Sequence, residues 1–383
     1  MKFVSRQASD FLFDHKSFHV RNKKRWETMA DISVKAGKNV YKIIREGGFN
    51  FDQVTTYVGP AVGPRWLVAS GFDMTLFQSG TLGRRRPVLL AGSSAGALRF
   101  AAWLQPEATE SYRRLMEDYI SMSFNRMDTP ETILEAIHRV VNNYIDDDAI
   151  PFALANSNFR LAIITSRAKG LASSEVEWIQ RLGLGFSFLY NAANSSWLHH
   201  FFQRVVFYNS PFPPQFCLKK NFRGKAIKLN EANFKHALLA SSAIPLVVAG
   251  VKNIYGAPNG TYRDGGLMDY HLNQQYAEKK EDVILLFHHQ ERIIPGWLDK
   301  KLQYKKPQPE TIENVLMVCP TEKFIQKLPG GKIPDREDFK TFADNPSTRI
   351  TNWWHAVELS ETLGEQFLEL IESKKIRDVV EEI

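Results

Sequence analysis

The stretch PVLLAGSSAGALRFAAWL, Pro87 to Leu104, decides how this chain is read. Val88 to Ala91 are apolar without alternation, the pattern of a strand buried on both faces of a parallel sheet. The run breaks at Gly92-Ser93-Ser94-Ala95-Gly96 and resumes as Ala97 to Leu104, which reads as a packed helix. Small residues two before and two after Ser94 permit a strained strand-to-helix turn that lifts a serine hydroxyl above the carboxyl end of a sheet. The amino end of the following helix then faces any negative charge forming there. A serine hydroxyl is a poor nucleophile without a base beside it. The stretch therefore sets a question: which side chain takes the proton.

Outward from the elbow, RWLVAS (Arg65 to Ser70) reads as the preceding strand, and Asn158–Thr165, Lys225–Leu229, Asp282–Phe287 and Asn314–Val318 read as further strands. Helices are expected over 97–150, where Pro106 and then Thr129-Pro130-Glu131 mark starts, and over Asn233–Ala243, which stops before Pro245. A long amphipathic helix follows Pro346-Ser347 and carries Trp353, Trp354, Val357, Leu363 and Phe367. Strands alternating with helices indicate an α/β fold with a mostly parallel central sheet. Residues 1–50 read as an N-terminal helical segment, with Ile32, Val34, Val40, Ile43 and Ile44 at loosely helical spacing, closed by Gly47-Gly48. Residues 171–216 are rich in aromatics, among them Phe186, Tyr190, Trp197, Phe202 and Phe207. They read as core, with an acyl-chain channel or a lipid-facing lid as the second reading.

Composition narrows the class. Hydrophobic residues at 44% and charged residues at 24% suit a globular chain and exclude general disorder. Cys217 and Cys319 make no disulfide framework and have no metal-ligand spacing, which points to a reducing, cytoplasmic setting. The charged N-terminus offers no signal-peptide core, and no stretch approaches a spanning helix. Membrane contact is therefore expected to be peripheral. The net charge of +7 includes Arg84-Arg85-Arg86 and Lys300, Lys301, Lys305 and Lys306. These read as a solvated basic face, since no zinc-finger or RNP-like pattern points to nucleic acid.

A second feature answers the question set by Ser94. Tyr262-Arg263-Asp264-Gly265-Gly266-Leu267-Met268-Asp269 would, alone, be a surface turn. Together with the elbow, however, the chain resembles the patatin-like phospholipase family. GSSAGA is similar to its G-x-S-x-G motif and DGGLMD to its D-G-[GA] motif. HALLASSAIPLV is similar to its helix-and-proline segment, so the resemblance runs from about Trp66 to Asn273.

The resemblance implies a patatin-like three-layer fold over a catalytic domain at 51–383, with a Ser94–Asp264 dyad acting through an acyl-serine. It implies no cofactor or metal, and a phospholipid or other acyl-ester lipid as partner. One departure stands out. The family's glycine-rich oxyanion loop is missing after RWLVAS, where only Gly71-Phe72-Asp73-Met74 follows. The N–H groups of Gly71 or Phe72, with that of Ala95, are the expected oxyanion donors. The same departure motivates an activating protein partner, or a catalytically inactive lipid- or protein-binding module. A Ser–His–Asp esterase would instead recruit His271, His288, His289 or His355.

Overall fold

The computed structural model describes residues 30–125 and 127–383. In chain order its main elements begin with β1 (Ile32–Ala36), α1 (Lys38–Gly47), β2 (Val54–Gly59), α2 (Ser70–Ser79), β3 (Val88–Ser93) and α3 (Ala95–Trp103). Next come α4 (Ala108–Ser121), α5 (Pro130–Tyr144), β4 (Phe159–Ala168), α6 (Glu177–Ala193), β5 (Phe202–Tyr208) and β6 (Gly224–Lys228). The chain continues through α7 (Phe234–Ser241), β7 (Val251–Lys252), β8 (Thr261–Asp264), β9 (Val283–Phe287), β10 (Val315–Pro320), α8 (Pro346–Glu372) and β11 (Glu381–Glu382).

The strands form one sheet in the order β11-β1-β10-β9-β2-β3-β4-β5-β6, with β7 and β8 off this path. From β10 to β4 every pairing is parallel. β1 on β10 and β5 on β4 are antiparallel. Successive side chains point to opposite faces, and both faces are covered. Leu90, Leu161, Ile163, Leu285 and Val318 pack under α2, α3, α4, α5 and α8. Ala91, Ala162, Ile164, Leu286 and Met317 pack under Phe216, Phe222, Leu272 and Tyr276 from loop segments. This is an α/β fold with a mostly parallel central sheet and surrounding helices. No helix among the described residues is long and apolar enough to cross a membrane.

Three sequence expectations change. RWLVAS is not a strand: Gly63–Ala69 is a 3-10 helix that runs into α2. The segment is apolar all round because it is wedged against α8 and buried at every residue except Arg65, and Pro64 suits a helical first turn. The strand before the elbow is β2, whose VTTYVG hides its burial behind Thr55 and Thr56; Thr56 itself is buried. Ile32 and Val34 lie on a sheet strand, so the helical reading of the N-terminal segment holds for Lys38–Gly47 and fails for β1. That reading of residues 1–29 lies outside the described residues.

A buried charge ties α3 to its surroundings. Asp73 on α2 takes Arg99 Nε at 2.7 Å and Arg99 Nη2 at 2.7 Å, while the hydroxyls of Tyr57 and Tyr112 donate to it at 2.6 and 2.5 Å. Both ionic side chains are essentially inaccessible to water. Removing one partner from such a pair leaves an uncompensated charge in a low-dielectric interior. Asp73→Ala should therefore lower the unfolding free energy by about 3–5 kcal/mol. Urea titration of the variant against the parent measures this, and a loss under 1 kcal/mol would show that Arg99 finds other compensation.

Candidate active site

Two strands meet head-on along one edge of β4. β3 pairs with the first part of β4, ending with Ser93 opposite Ile164. β8 runs the other way and pairs with the second part, ending with Asp264 opposite Thr165. β5 occupies the opposite edge through both stretches, so β3 and β8 share the remaining one. Consecutive residues of β4 thus hold the ends of two strands, Ser93 and Asp264, that lie far apart in sequence. This places Ser94 beside Asp264.

The turn at Ser94 is strained, with φ 54° and ψ −123°. A non-glycine residue held there costs about 1–3 kcal/mol and persists only where its surroundings fix it. They do so here. The Ser94 N–H donates to Ser241 Oγ at 2.8 Å, and Ser241 in turn donates to the Ile164 carbonyl at 2.7 Å. A Cβ on Gly92 would fall 2.5 Å from Ala97 N, so the turn has no room for a side chain at that position. At the other strand end, a Cβ on Gly265 would lie 2.1 Å from the Ile164 carbonyl oxygen and one on Gly266 2.7 Å from Ala61 Cβ. The glycines of both motifs are therefore sites of close backbone approach.

Asp264 is buried, and its Oδ1 accepts the Gly266 N–H at 2.7 Å. Burial raises its pKa above the ordinary 3.8, opposed by the hydroxyl of Ser94, the Gly266 N–H and the charges of Arg336 and Lys300. Asp269, the second acid of the DGGLMD stretch, is engaged elsewhere: it pairs with Arg204 of β5 and accepts from Gln274. It holds the loop rather than facing Ser94.

Ser94 opens into a cavity of about 370 Å³ with walls that include Leu98, Met122, Ile137, Val140 and Val248. Ala95 lines it too, as the first residue of α3, where a helical N–H has no acceptor behind it. The other expected oxyanion donors are elsewhere. Gly71 lies inside α2 with its N–H given to Ser360 Oγ at 3.0 Å, and Phe72 is buried between Phe287 and Phe367. That correction follows directly from the missing strand at RWLVAS.

The loop after β2 is Pro60–Pro64. In it the Ala61 N–H goes to the Tyr270 carbonyl, the Val62 N–H goes to the Pro60 carbonyl, and Pro64 has none. Gly63, at φ 56°, has no acceptor for its N–H among the described residues and lines the cavity beside Ser94. Sequence reasoning missed Gly63, although a Gly-Pro pair closing the β-branched run V-T-T-Y-V marks a strand end.

Among the described residues no histidine lines this cavity. His355 is exposed on α8. His271, His288 and His289 instead form a buried cluster beyond the end of β9, with one nitrogen from each within 4.8 Å of the others. The spacing invites a metal, but His271 Nδ1 accepts the Ile294 N–H at 3.0 Å. In the neutral ring its Nε2 then carries the proton and has no lone pair for a cation. Lys300 also lies close enough to His271 and His289 to oppose added positive charge. These donors fit a neutral cluster.

The aromatic region divides. Phe202 and Phe207 are core, whereas Phe186, Tyr190 and Trp197 are exposed together with Trp178, Leu182 and Leu189 on α6. Positions 178, 182, 186 and 189 recur at helical spacing, so they share one outer face. Gln180 of the same helix accepts the Leu246 N–H at 2.7 Å, which ties α6 to the Ile244–Val248 segment of the cavity wall.

No family model and no curated protein matches the chain.

The histidine cluster generates a test of stability. Burial is the largest influence on all three rings and drives each pKa down, that of His288 to about 4. The unfolded value is 6.5, so between 6.5 and about 4 the unfolded chain binds protons that the folded chain refuses. Stability from the cluster is whole above pH 6.5 and is lost as pH falls through this window, by about 3 kcal/mol for His288 alone. The melting temperature should hold level above pH 6.5 and fall below it. A melt indifferent to pH across the window would show that the rings are not held neutral.

Proposed function

We propose that the chain is a serine ester hydrolase of patatin type that cleaves acyl esters of lipids through a Ser94–Asp264 dyad. The observation that carries this reading is the head-on meeting of β3 and β8, which sets a strained, cavity-facing serine beside a buried carboxylate with no histidine of the described residues lining the cavity. Asp264 takes the proton as Ser94 Oγ attacks the ester carbonyl. The alcohol leaves with that proton, and water, activated by the same carboxylate, releases the acid from the acyl-serine. Developing charge on the carbonyl oxygen is met by the N–H groups of Ala95 and Gly63 at the head of α3 and the end of the β2 loop. The apolar cavity suits an acyl chain.

The raised pKa of Asp264 matches its role. A base whose pKa is raised above that of a free carboxylate accepts a proton more readily. The unpaired N–H of Gly63 in the loop after β2 supports the hydrolase reading over an inactive binding module.

Fluorophosphonate labelling of the purified chain, parent against Ser94→Ala, is the direct test. Labelling should vanish in the variant, and an unlabelled, well-folded parent would refute the assignment. Asp264→Asn should lower turnover roughly 10²–10⁴-fold without moving the melting temperature much. The acid limb of kcat/KM should lie above pH 3.8, because the base must be ionised.

Peripheral contact with a lipid surface is part of the same reading, through the outer face of α6, where Trp178 and Leu189 are 64% and 62% exposed. Trp178→Ser with Leu189→Ser should weaken turnover on phospholipid vesicles and spare a water-soluble short-chain ester. Equal losses on both substrates would remove α6 from the account.

A further inference from the structure

The backbone gives the site few donors for an oxyanion: the N–H of Ala95 at the head of α3 and that of Gly63 at the end of the β2 loop. A third group stands beside them. Arg336 lines the cavity that holds Ser94, Ala95 and Gly63, and it also lines the narrow cleft of Asp264. Its Nε and Nη2 lie 3.0 and 3.3 Å from where a Cβ on Gly63 would sit, and its Cζ lies 3.5 Å away. A point nearer to both nitrogens than to the carbon between them lies off the Nε–Nη2 edge of the fork. That edge, with two N–H groups side by side, is therefore turned toward Gly63, and a side chain at residue 63 would push it aside.

Arg336 sits among acids, in Asp335-Arg336-Glu337-Asp338, yet none of them neutralises it. Asp335 pairs with Arg65 and accepts the Glu337 N–H at 2.8 Å. Asp338 is buried and accepts the Asp335 N–H and the Trp353 indole N–H, which pins this loop to α8. Glu337 pairs with Lys340. No hydrogen bond or ion pair engages the Arg336 side chain among the described residues. The neighbouring cations are placed differently. Lys340 lines the same cavity but is exposed and already paired, and Lys300 rests on the Tyr270 and Trp297 rings and lines neither space. An unpaired guanidinium, half out of water at an apolar cavity, carries a desolvation cost that the chain's own carboxylates leave standing. Negative charge developing on a substrate inside the cavity would offset it.

We propose that Arg336 is a further catalytic residue, whose Nε–Nη2 edge donates to the oxyanion of the tetrahedral intermediate alongside the N–H groups of Gly63 and Ala95. The proposal rests on the hydrolase reading. The carbonyl oxygen carries little charge in the bound ester and a full negative charge once Ser94 Oγ has added. A charged donor therefore acts mainly on the transition state, lowering the barrier more than it tightens substrate binding. The guanidinium arrives from a loop far downstream and supplies the charged member of a donor set whose other two members are backbone amides.

The test uses the full chain and a neutral ester, 4-nitrophenyl butyrate, with Arg336→Ala and Arg336→Lys. On the pH-independent plateau Arg336→Ala should lower kcat roughly 10²–10³-fold, the loss typical of one oxyanion donor, and leave KM within about threefold. Fluorophosphonate should label it more slowly by a similar factor, since the phosphonyl oxygen takes the same place. Added guanidinium chloride at millimolar concentration should recover at least about tenfold of the kcat of Arg336→Ala, and Arg336→Lys should retain part of the parent's. Melting curves should match the parent's, because the side chain has no partner to lose. A kcat unchanged on the plateau overturns the assignment, as does a loss seen only as an acid limb moved to higher pH, which would mean that Arg336 acts through Asp264. A rise in KM with kcat kept would make it a ground-state contact and also overturns it. So does a loss that neither guanidinium nor lysine relieves, the mark of a structural role. A parent that fluorophosphonate fails to label removes the hydrolase reading and this one with it, whereas a parent and Arg336→Ala labelled equally fast removes Arg336 alone.

Discussion

The backbone of α3 lies directly on the backbone of β2. A Cβ on Gly96 would sit 2.0 Å from the Gly59 carbonyl oxygen, so no residue but glycine permits the approach. Much else depends on this contact. It sets how steeply the chain turns at Ser94, and so forces the positive φ there. It brings Arg99, one turn into α3, level with Asp73, Tyr57 and Tyr112, so that a charge pair locks the helix from its far side. The strain at Ser94 is held by backbone contact at the start of α3 and by a saturated carboxylate one turn further along.

The same closeness explains why the acid comes from so distant a part of the chain. With α3 pressed onto β2 and β3, the space beside Ser94 is bounded by the sheet itself. A carboxylate reaches Ser94 along the free edge of β4 beyond the end of β3, and β8 fills that edge. A strand arriving there antiparallel must turn sharply at its tip, against the carbonyl of Ile164 and the loop after β2. Gly265 and Gly266 make that turn sterically feasible. The two glycine-bearing motifs are thus two solutions to one packing problem on a single β4 rung.

Such close approaches leave a local mark in the sequence. Gly92, Ser94, Gly96, Asp264, Gly265 and Gly266 stood out because short runs of small residues mark close backbone approach, although the backbone that Gly96, Gly265 and Gly266 approach (Gly59, Ile164 and Ala61) lies far off in sequence. The parallel strands β3, β4, β9 and β10 were readable because burial on both faces leaves uninterrupted apolar runs. β2 was not, since Thr56 is buried while looking polar, and the wedge at Trp66 to Ala69 imitates a central strand by being apolar on every side. The oxyanion donors failed with it, because their position was counted from the wrong element. Arg336 and Lys300 were invisible for a different reason. They reach the site from segments far downstream of both motifs, and nothing local marks one lysine in a basic run as half-buried.

The electrostatics of the site follow from that late arrival. Burial alone would push Asp264 toward its neutral form, which could not act as a base. Arg336 and Lys300 oppose this, and the Gly266 N–H and Ser94 hydroxyl add hydrogen bonds to the ionised form. The cations therefore bear on the resident carboxylate, and the balance that sets its proton affinity is struck between its own burial and charges that come from outside both glycine motifs.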